Sequence, residues 1–347
     1  MRKVLFLATS RKTKGGVTSV LKAYQKCQLW EKYNIRWLET HIDGNTLIKL
    51  WYSFTSLITY LFVVRSYDLV HLHTGEIISI KRKYIFFQIA RWLNKKTIVH
   101  LHIGNQIDSY ANSKLCNNIL KRADAVLVLS NELKNKVREL FSVDSDKIYV
   151  IHNPCVAVEN VRYSIDSKTI LYAGRLEYNK GYHLLLQAFA MIAYKHPDWK
   201  IVFAGNGEID KAARIAKENQ IADQVVFKGW ITGDEKDSVF RDASFLCLPS
   251  YAEGFSMTVL EAWAYVLPVV CAPVGGLRDI VCDGVNASLF ESGNAKQLAE
   301  QLDRMIANPI LRKQIAEKSH ELATTIFNIQ HISKQIDSLY EYLISSK

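Results

Sequence analysis

The chain has 347 residues, of which 49% are hydrophobic and 22% charged, and its formal net charge is +10. That length exceeds what one hydrophobic core usually serves, so the sequence predicts two domains. Its six cysteines, at positions 27, 116, 155, 247, 271 and 282, include no Cys-x-x-Cys spacing. This usage suits a reducing cytoplasm.

Charge divides unevenly along the chain. Residues 1–150 carry 24 Lys and Arg against 11 Asp and Glu, a formal +13, whereas residues 151–347 carry 20 against 23, a formal −3. The apolar run at residues 3–8 is too short for a signal peptide and is interpreted as a first buried strand. Gly15 and Gly16 follow it, and a helix is predicted from about Thr18, which begins a doubly wound pattern. The G-x-G-x-x-G spacing of a nicotinamide or flavin dehydrogenase is missing there.

Two aromatic, apolar segments follow, at residues 47–64 and 81–96, and both are predicted to be helices with core-facing apolar sides. The first contains Lys49 and several Ser and Thr, so it is not interpreted as a transmembrane span. The cations of the second, which begins Lys81-Arg82-Lys83, need an anionic partner, and a phospholipid surface fits them. Nucleic acid is the rival partner. It is set aside because no helix-turn-helix, zinc-finger or RNP-type pattern accompanies the basic residues.

Two predicted strands, at residues 68–73 and 97–102, each end in histidines spaced two apart. Four such histidines could bind zinc, but no acidic or cysteine partner stands at ligand spacing, so no metal is predicted. His73 and His102 are predicted to end their strands at a cleft. His71 and His100 are predicted to be hydrogen-bonded within the fold.

In the second half, an apolar strand at residues 169–173 is followed by Gly174-Arg175 and, after a short loop, Lys180-Gly181. Two cations at the carboxyl end of a parallel strand can neutralise a phosphate without metal. Two more predicted strands, at residues 201–204 and 225–228, end in glycine turns that suit close backbone approach to a ligand.

The strand predicted at residues 243–248 stops at Pro249, and a helix is predicted over residues 256–265. Glu253 therefore lies on the loop and Glu261 within the helix. The backbone N–H groups at the helix start, around Phe255 to Thr258, would attract an anion such as a diphosphate.

The segments Glu253-Gly254-Phe255, Leu260-Glu261-Ala262 and Leu267-Pro268-Val269-Val270 resemble the signature of the family 4 glycosyltransferases, which have the two-domain GT-B fold. The Gly174 to Gly181 element and the Gly275-Gly276 turn fit the same pattern. The resemblance covers most of residues 150–340 and, more weakly, residues 1–150.

The resemblance implies an α/β chain with two Rossmann-like, doubly wound domains that face a central cleft. Residues 1–155 would bind the acceptor, together with a crossing C-terminal helix at about 327–347, and residues 156–326 would bind the donor. Two positions depart from the family pattern. At the expected domain junction, where Asn-Gly-Val is commoner, Pro154 stands in place of the glycine. Val266 stands where glycine is usual, a change expected to alter packing rather than chemistry.

The implied reaction moves a sugar, with retention of configuration, from a nucleotide-diphosphate donor. Arg175 and Lys180 would bind the diphosphate, Glu253 the sugar hydroxyls and Glu261 the ribose, while His102 would lie beside the donor sugar. The expected donor-binding set is completed by the glycine-loop and helix-start residues Gly15, Gly16, Gly174, Gly205, Asn206, Gly254, Phe255, Ser256, Met257 and Thr258. No protein nucleophile is assigned, and no cofactor is expected.

The implied acceptor is a lipid-linked oligosaccharide or a growing surface polysaccharide, so the expected location is the cytoplasm, including the inner face of the cell membrane. Two alternatives stay open. One is a nucleotide-sugar epimerase of GT-B fold, and the other is a non-catalytic carbohydrate-binding or membrane scaffold protein.

Overall fold

The computed structural model describes residues 2–345, apart from the side chains at positions 105 and 106, and it divides into two compact units. One unit runs as far as Pro154 and resumes at Ile329, and the other is Cys155–Asn328. The sequence had placed these boundaries after residues 155 and 326.

The first unit is a six-stranded parallel sheet with helices on both faces. Its strands are β1 (Val4–Thr9), β2 (Arg36–His41), β3 (Leu69–Thr74), β4 (Lys96–Leu101), β5 (Ala125–Val128) and β6 (Ile148–Val150). Its helices are α1 (Gly16–Tyr24), α2 (Gln28–Lys32), α3 (Thr46–Val63), α4 (Ile77–Trp92), α5 (Lys114–Arg122), α6 (Asn131–Phe141) and the C-terminal α13 (Ile329–Ser345).

The strand order in this sheet is β2-β1-β3-β4-β5-β6, and every pairing is parallel. The central strands β1, β3, β4 and β5 are almost entirely buried because helices cover both faces of the sheet. The order reverses direction at β1, so the carboxyl ends of β1 and β3 flank the position where doubly wound sheets bind ligands.

Helix α13 belongs to the first unit through polar and aromatic contacts with α2 and β3. Lys32 Nζ lies 2.7 Å from Asp337 Oδ1 and 2.8 Å from Glu341 Oε1. The fully buried Tyr340 hydroxyl lies 2.5 Å from His71 Nδ1. These contacts fix the C-terminal helix against the sheet face that carries the histidines.

The second unit is also a six-stranded parallel sheet with helices. Its strands are β7 (Thr169–Ala173), β8 (Lys200–Ala204), β9 (Val225–Gly229), β10 (Phe245–Leu248), β11 (Val269–Cys271) and β12 (Ser288–Leu289). Its helices are α7 (Tyr182–Ala190), α8 (Ile209–Glu218), α9 (Gly233–Arg241), α10 (Met257–Ala264), α11 (Ala295–Ala307) and α12 (Pro309–Thr324).

The order β12-β11-β10-β7-β8-β9 places the first strand of the unit at the centre and makes β7 and β10 neighbours. Successive strands run outward from β7 on one side and from β10 on the other. The order therefore reverses between β7 and β10, and this crevice is the expected ligand position. The predicted α/β, doubly wound fold of both halves is confirmed.

Val266, which follows α10, has a φ of 57°. Left-handed backbone is unfavourable for a β-branched residue and natural for glycine. The valine at position 266, where the family usually has glycine, was expected to affect packing. It affects the backbone itself, because Val266 holds a glycine-like conformation.

The structure corrects two predictions about the apolar segments of the first unit. Most large apolar residues at 47–64 face solvent rather than the core: Ser56 and Tyr60 are the buried residues of α3, and Leu57 and Val63 add partly buried apolar contacts with the core. Residues 81–83 do not form an exposed cationic triad, since Lys83 is buried and its Nζ donates to Ser79 Oγ at 2.7 Å. The apolar side of a surface helix normally faces the core, and α3 departs from that rule.

Candidate functional site

The centre of the candidate site is a buried ion pair between the loops that follow β7 and β10. Lys180 Nζ lies 2.8 Å from Glu253 Oε1, and the hydroxyl of Ser250 donates to the same oxygen at 2.7 Å. The Glu253 side chain is only 8% exposed, whereas that of Lys180 is 31% exposed. The pair lies where the strand order reverses, and one of its members still reaches solvent.

Glycines hold together the three loops of this site, which follow β7, β10 and β11. Gly181 has a φ of 71°, and a Cβ there would lie 1.9 Å from the carbonyl oxygen of Pro249. Gly275 has a φ of 54°, and its Cβ would lie 1.7 Å from the carbonyl oxygen of Glu253. Only glycine fits such positions, since both the space and the backbone angle exclude a side chain. The loops that carry Lys180 and Glu253 are thereby fixed in position.

Arg175 lies on the same β7 loop but is far more exposed. Its Nε is 3.0 Å from Glu177 Oε1, and its side chain is 68% exposed. Its carbonyl oxygen accepts from the Tyr172 hydroxyl at 2.8 Å, which fixes the backbone while the guanidinium remains in solvent. A guanidinium is more weakly hydrated than an ammonium, which favours its pairing with a phosphate.

The loop after β8 supports the Arg175 loop through backbone contacts. Leu176 N donates to Asn206 O at 2.8 Å, and Gly174 N donates to Ala204 O at 3.0 Å. A Cβ at Gly205 would lie 1.8 Å from Gly174 O. Of the predicted donor-binding residues, Gly174, Gly205 and Asn206 thus share one tightly packed backbone layer.

Helix α10 begins where the sequence predicted. Ser256 caps it by accepting from Val259 N at 3.4 Å. The first N–H groups of a helix, here those of Met257 and Thr258, have no carbonyl partner within the helix and favour anions. Phe255 is buried and its ring packs on Phe327, with centroids 6.1 Å apart, so its side chain belongs to the core.

Gly254 joins this helix start to the Gly275-Gly276 turn. Its carbonyl oxygen accepts from Gly276 N at 2.9 Å. Glu261, further along α10, pairs with Lys236 of α9, with Nζ 3.0 Å from Oε2 and both side chains about one-third exposed. The two predicted carboxylates therefore have different environments, since Glu253 is buried and Glu261 is accessible.

The remaining predicted site residues belong to the first unit. Gly15 precedes α1, which begins at Gly16, and a Cβ at Gly15 would meet no heavy atom within 4 Å. His102 directly follows β4, and its Nε2 lies 3.0 Å from His73 Nδ1. Burial, together with the charge of Lys83, lowers the pKa of His102 to about 3. His102 is therefore neutral at physiological pH.

The histidines of β3 and β4 form a stacked array on one face of the sheet. His71 hydrogen-bonds to Tyr340, as the prediction required. The corresponding prediction for His100 is wrong, because neither of its ring nitrogens has a hydrogen-bond partner among the described residues. Burial lowers the pKa of His71, His73 and His100 well below the ordinary value.

The ligating nitrogens of His71, His73 and His100 lie within 4.8 Å of one another. The rings, however, stack nearly in parallel, with 20° between His71 and His73 and 17° between His71 and His100, at centroid separations of 4.2 and 5.4 Å. A metal lies near the plane of each imidazole that binds it, and near-parallel planes so far apart share no such point. This arrangement does not suit a shared metal ion.

Sequence reasoning found Lys180 and Glu253 but not their pairing, nor the hydroxyl of Ser250 that completes it. The sequence indicated only that each residue follows a predicted strand, which does not say that the two strands are neighbours. That β7 and β10 are neighbours is a property of the sheet and of no single motif. Lys83 was missed as a buried cation because it stood among exposed-looking basic residues.

Comparison with known proteins identifies the family of both halves. Residues 37–156 match the Glycosyltransferase Family 4 model, and residues 161–322 match the model of Glycosyl transferases group 1. An uncharacterized glycosyltransferase of Methanocaldococcus jannaschii is 30% identical over 232 residues, which cover 62% of this chain and 59% of that protein. One of Haemophilus influenzae is 31% identical over 217 residues, covering 61% of this chain and 60% of that protein. These matches span about three-fifths of the relatives' length.

Two solved structures show the same fold at low sequence identity. HepE of Anabaena in complex with UDP-glucose has a TM-score of 0.79 at 19% identity, covering 99% of this chain and 100% of that one. Sucrose-phosphate synthase of Thermosynechococcus elongatus has a TM-score of 0.81 at 19% identity, covering all of both chains. With the two family models matched in succession along the sequence, the chain belongs to the family 4 glycosyltransferases of GT-B fold.

Proposed function

We propose that this protein transfers a sugar, with retention of configuration, from a nucleotide-diphosphate donor to a lipid-linked oligosaccharide or growing surface polysaccharide. The observation that carries the proposal is the Lys180–Glu253 pair at the point of strand-order reversal, with Arg175 exposed on the same loop. The UDP-glucose complex of HepE, a structural neighbour, makes UDP-glucose the first donor to test.

The proposed chemistry rests on stabilising the departing diphosphate. Arg175 and Lys180 supply two positive charges, and the first N–H groups of α10 supply partial positive charge. Charge that develops on the leaving phosphate is neutralised by groups already held in place, so little reorganisation is needed during the reaction. This arrangement requires no metal.

The two carboxylates take different roles in the proposal. Glu253 is buried and held by two hydrogen bonds, which suits fixed contacts with the hydroxyls of the sugar as its bond to phosphate breaks. Glu261 is accessible and paired at the surface with Lys236, which suits a ribose contact that is equal in ground and transition states. In the first unit, His102 is neutral and can donate or accept a hydrogen bond without adding charge.

The first experiment measures stabilisation by UDP and UDP-glucose, followed by release of UDP with and without an acceptor glycan. Ligand at a hundred times its dissociation constant should stabilise the fold by about 2.7 kcal/mol. Arg175→Ala should reduce transfer by roughly 10² to 10³, and EDTA should have little effect. Arg214→Ala is the matched control, because Arg214 is an exposed arginine of α8 in the same unit.

Acceptor-independent conversion of the donor would favour an epimerase, and donor binding without turnover would favour a scaffold. Activity that is lost with EDTA and restored by a divalent ion would contradict the metal-free mechanism. For the carboxylates, Glu253→Ala should mainly lower kcat and Glu261→Ala should mainly raise the donor KM. Lys236→Ala controls for loss of the surface ion pair and should leave the donor KM unchanged.

A further inference from the structure

Helix α3 exposes its apolar side to solvent. Seven large apolar residues lie at helical spacings of three and four on one stripe, with exposed fractions from 39 to 81%. They are Leu47, Leu50, Trp51, Phe54, Ile58, Leu61 and Phe62. We call these seven residues the α3 apolar stripe. A single exposed leucine needs no explanation, but a contiguous stripe of this size marks an interaction surface.

The opposite side of α3 is attached to the sheet mainly by polar side chains, with Leu57 and Val63 packed against the core. The Tyr52 hydroxyl donates to Glu39 of β2, and Ser53 Oγ donates to Thr40 O at 3.5 Å. The buried Tyr60 donates to Phe86 O at 2.8 Å. The helix is thus held by its polar side along the edge strand, with its apolar side facing out, the reverse of an ordinary surface helix.

The charges near α3 indicate what covers the stripe. No Asp or Glu lies between positions 46 and 66, whereas exposed Lys49 and Arg65 lie near the two ends of the helix. Lys81, on α4, is also exposed, and none of these three cations forms an ion pair among the described residues. A second copy would bring the same cations face to face, whereas an anionic lipid surface would attract them.

We propose that the α3 apolar stripe inserts into the headgroup region of an anionic membrane, with α3 lying parallel to the surface. By length and composition, residues 46–66 could also cross a membrane. The attachment of the polar side of α3 to β2 and α4 favours the parallel orientation, because a spanning helix would have to detach from both. An outward apolar side with flanking cations is typical of helices that lie in the membrane interface.

Binding to a membrane requires no donor or acceptor, so this inference can be tested separately from the proposed transfer reaction. The assay is co-sedimentation of the full chain with vesicles of phosphatidylglycerol and phosphatidylcholine, compared with vesicles of phosphatidylcholine alone. Trp51, Phe54 and Phe62 are changed together to serine. The matched control changes three exposed apolar residues of the second unit, Met191, Tyr194 and Ile310, to serine.

We expect the stripe variant to lose at least about tenfold in partitioning to anionic vesicles, and the control variant to bind like the unchanged protein. Changing Lys49 and Arg65 to serine should weaken anionic binding by about tenfold or more. Circular dichroism and the thermal unfolding profile report whether the variants fold. Wild-type partitioning by the folded stripe variant would overturn the proposal. The proposal would also be overturned if the unchanged protein sediments as a dimer and the stripe variant as a monomer, because a second copy would then cover the stripe. Resistance to carbonate extraction in cells would instead indicate a spanning helix and overturn the parallel orientation.

Discussion

Replacing Lys180 by methionine tests the pair at the centre of the site. The change removes the ammonium that lies 2.8 Å from Glu253 Oε1 and keeps most of the side-chain volume. The Ser250 hydroxyl, at 2.7 Å, is then the remaining partner of that oxygen. Because the Glu253 side chain is only 8% exposed, water can replace the lost partner poorly.

A buried charged group that loses a partner costs about 1–3 kcal/mol, and we expect about 2 kcal/mol here. For a unit of this size, each kcal/mol corresponds to about 2–4 °C in Tm, so Lys180→Met should lower the Tm of the second unit by about 4–8 °C. Lys236→Met is the control. It removes the cation of a pair whose side chains are one-third exposed, and such pairs contribute about 0–1 kcal/mol.

The assay is a double-mutant cycle followed by calorimetry. In a Glu253→Gln background the buried charge is gone, so Lys180→Met should cost much less than it does alone. The coupling energy should be about 1–2 kcal/mol. An equal loss of Tm in both backgrounds would show that Lys180 stabilises the fold by packing rather than through Glu253, and our account of the pair would be refuted.

Three further predictions concern pH and backbone geometry. Burial lowers the pKa of His100 well below the ordinary value. The unfolded chain therefore binds a proton at His100 below about pH 6.5 and the folded chain does not, so the free energy of unfolding falls as pH drops. In urea unfolding, His100→Phe should make this pH dependence less steep by up to about 1.4 kcal/mol per pH unit. Burial raises the pKa of Glu39, but hydrogen bonds from Tyr52 and a neighbouring arginine outweigh it and bring the pKa to about 2. The Tm difference between the unchanged protein and Glu39→Gln should therefore be full above about pH 4.5 and vanish towards pH 2, and a difference that persists there would count against this pairing. Gly181→Ala should destabilise the second unit far more than Gly233→Ala, because both glycines have positive φ but only Gly181 would place its Cβ against a carbonyl; similar Tm values for the two variants would be inconsistent with this packing.

The sequence by itself determined the fold class and the local position of several candidate site residues. Apolar strands that alternate with helical segments predict parallel sheets, since both faces of such sheets are covered. The helix start at Ser256 and the loop position of Glu253 follow from local chemistry: a proline that ends a strand and a hydroxyl that caps a helix. These properties depend on neighbours in the chain, so a local pattern can predict them.

The tertiary structure alone decided which residues meet. Lys180 and Glu253 are 73 positions apart and pair because β10 lies beside β7. Lys83 is buried, although it stands in a sequence of basic residues, because α4 packs with that side inward. The apolar side of α3 faces outward because β2 presents polar partners to its other side. An amphipathic pattern specifies two faces of a helix, but only the surface against which the helix packs determines which face is buried.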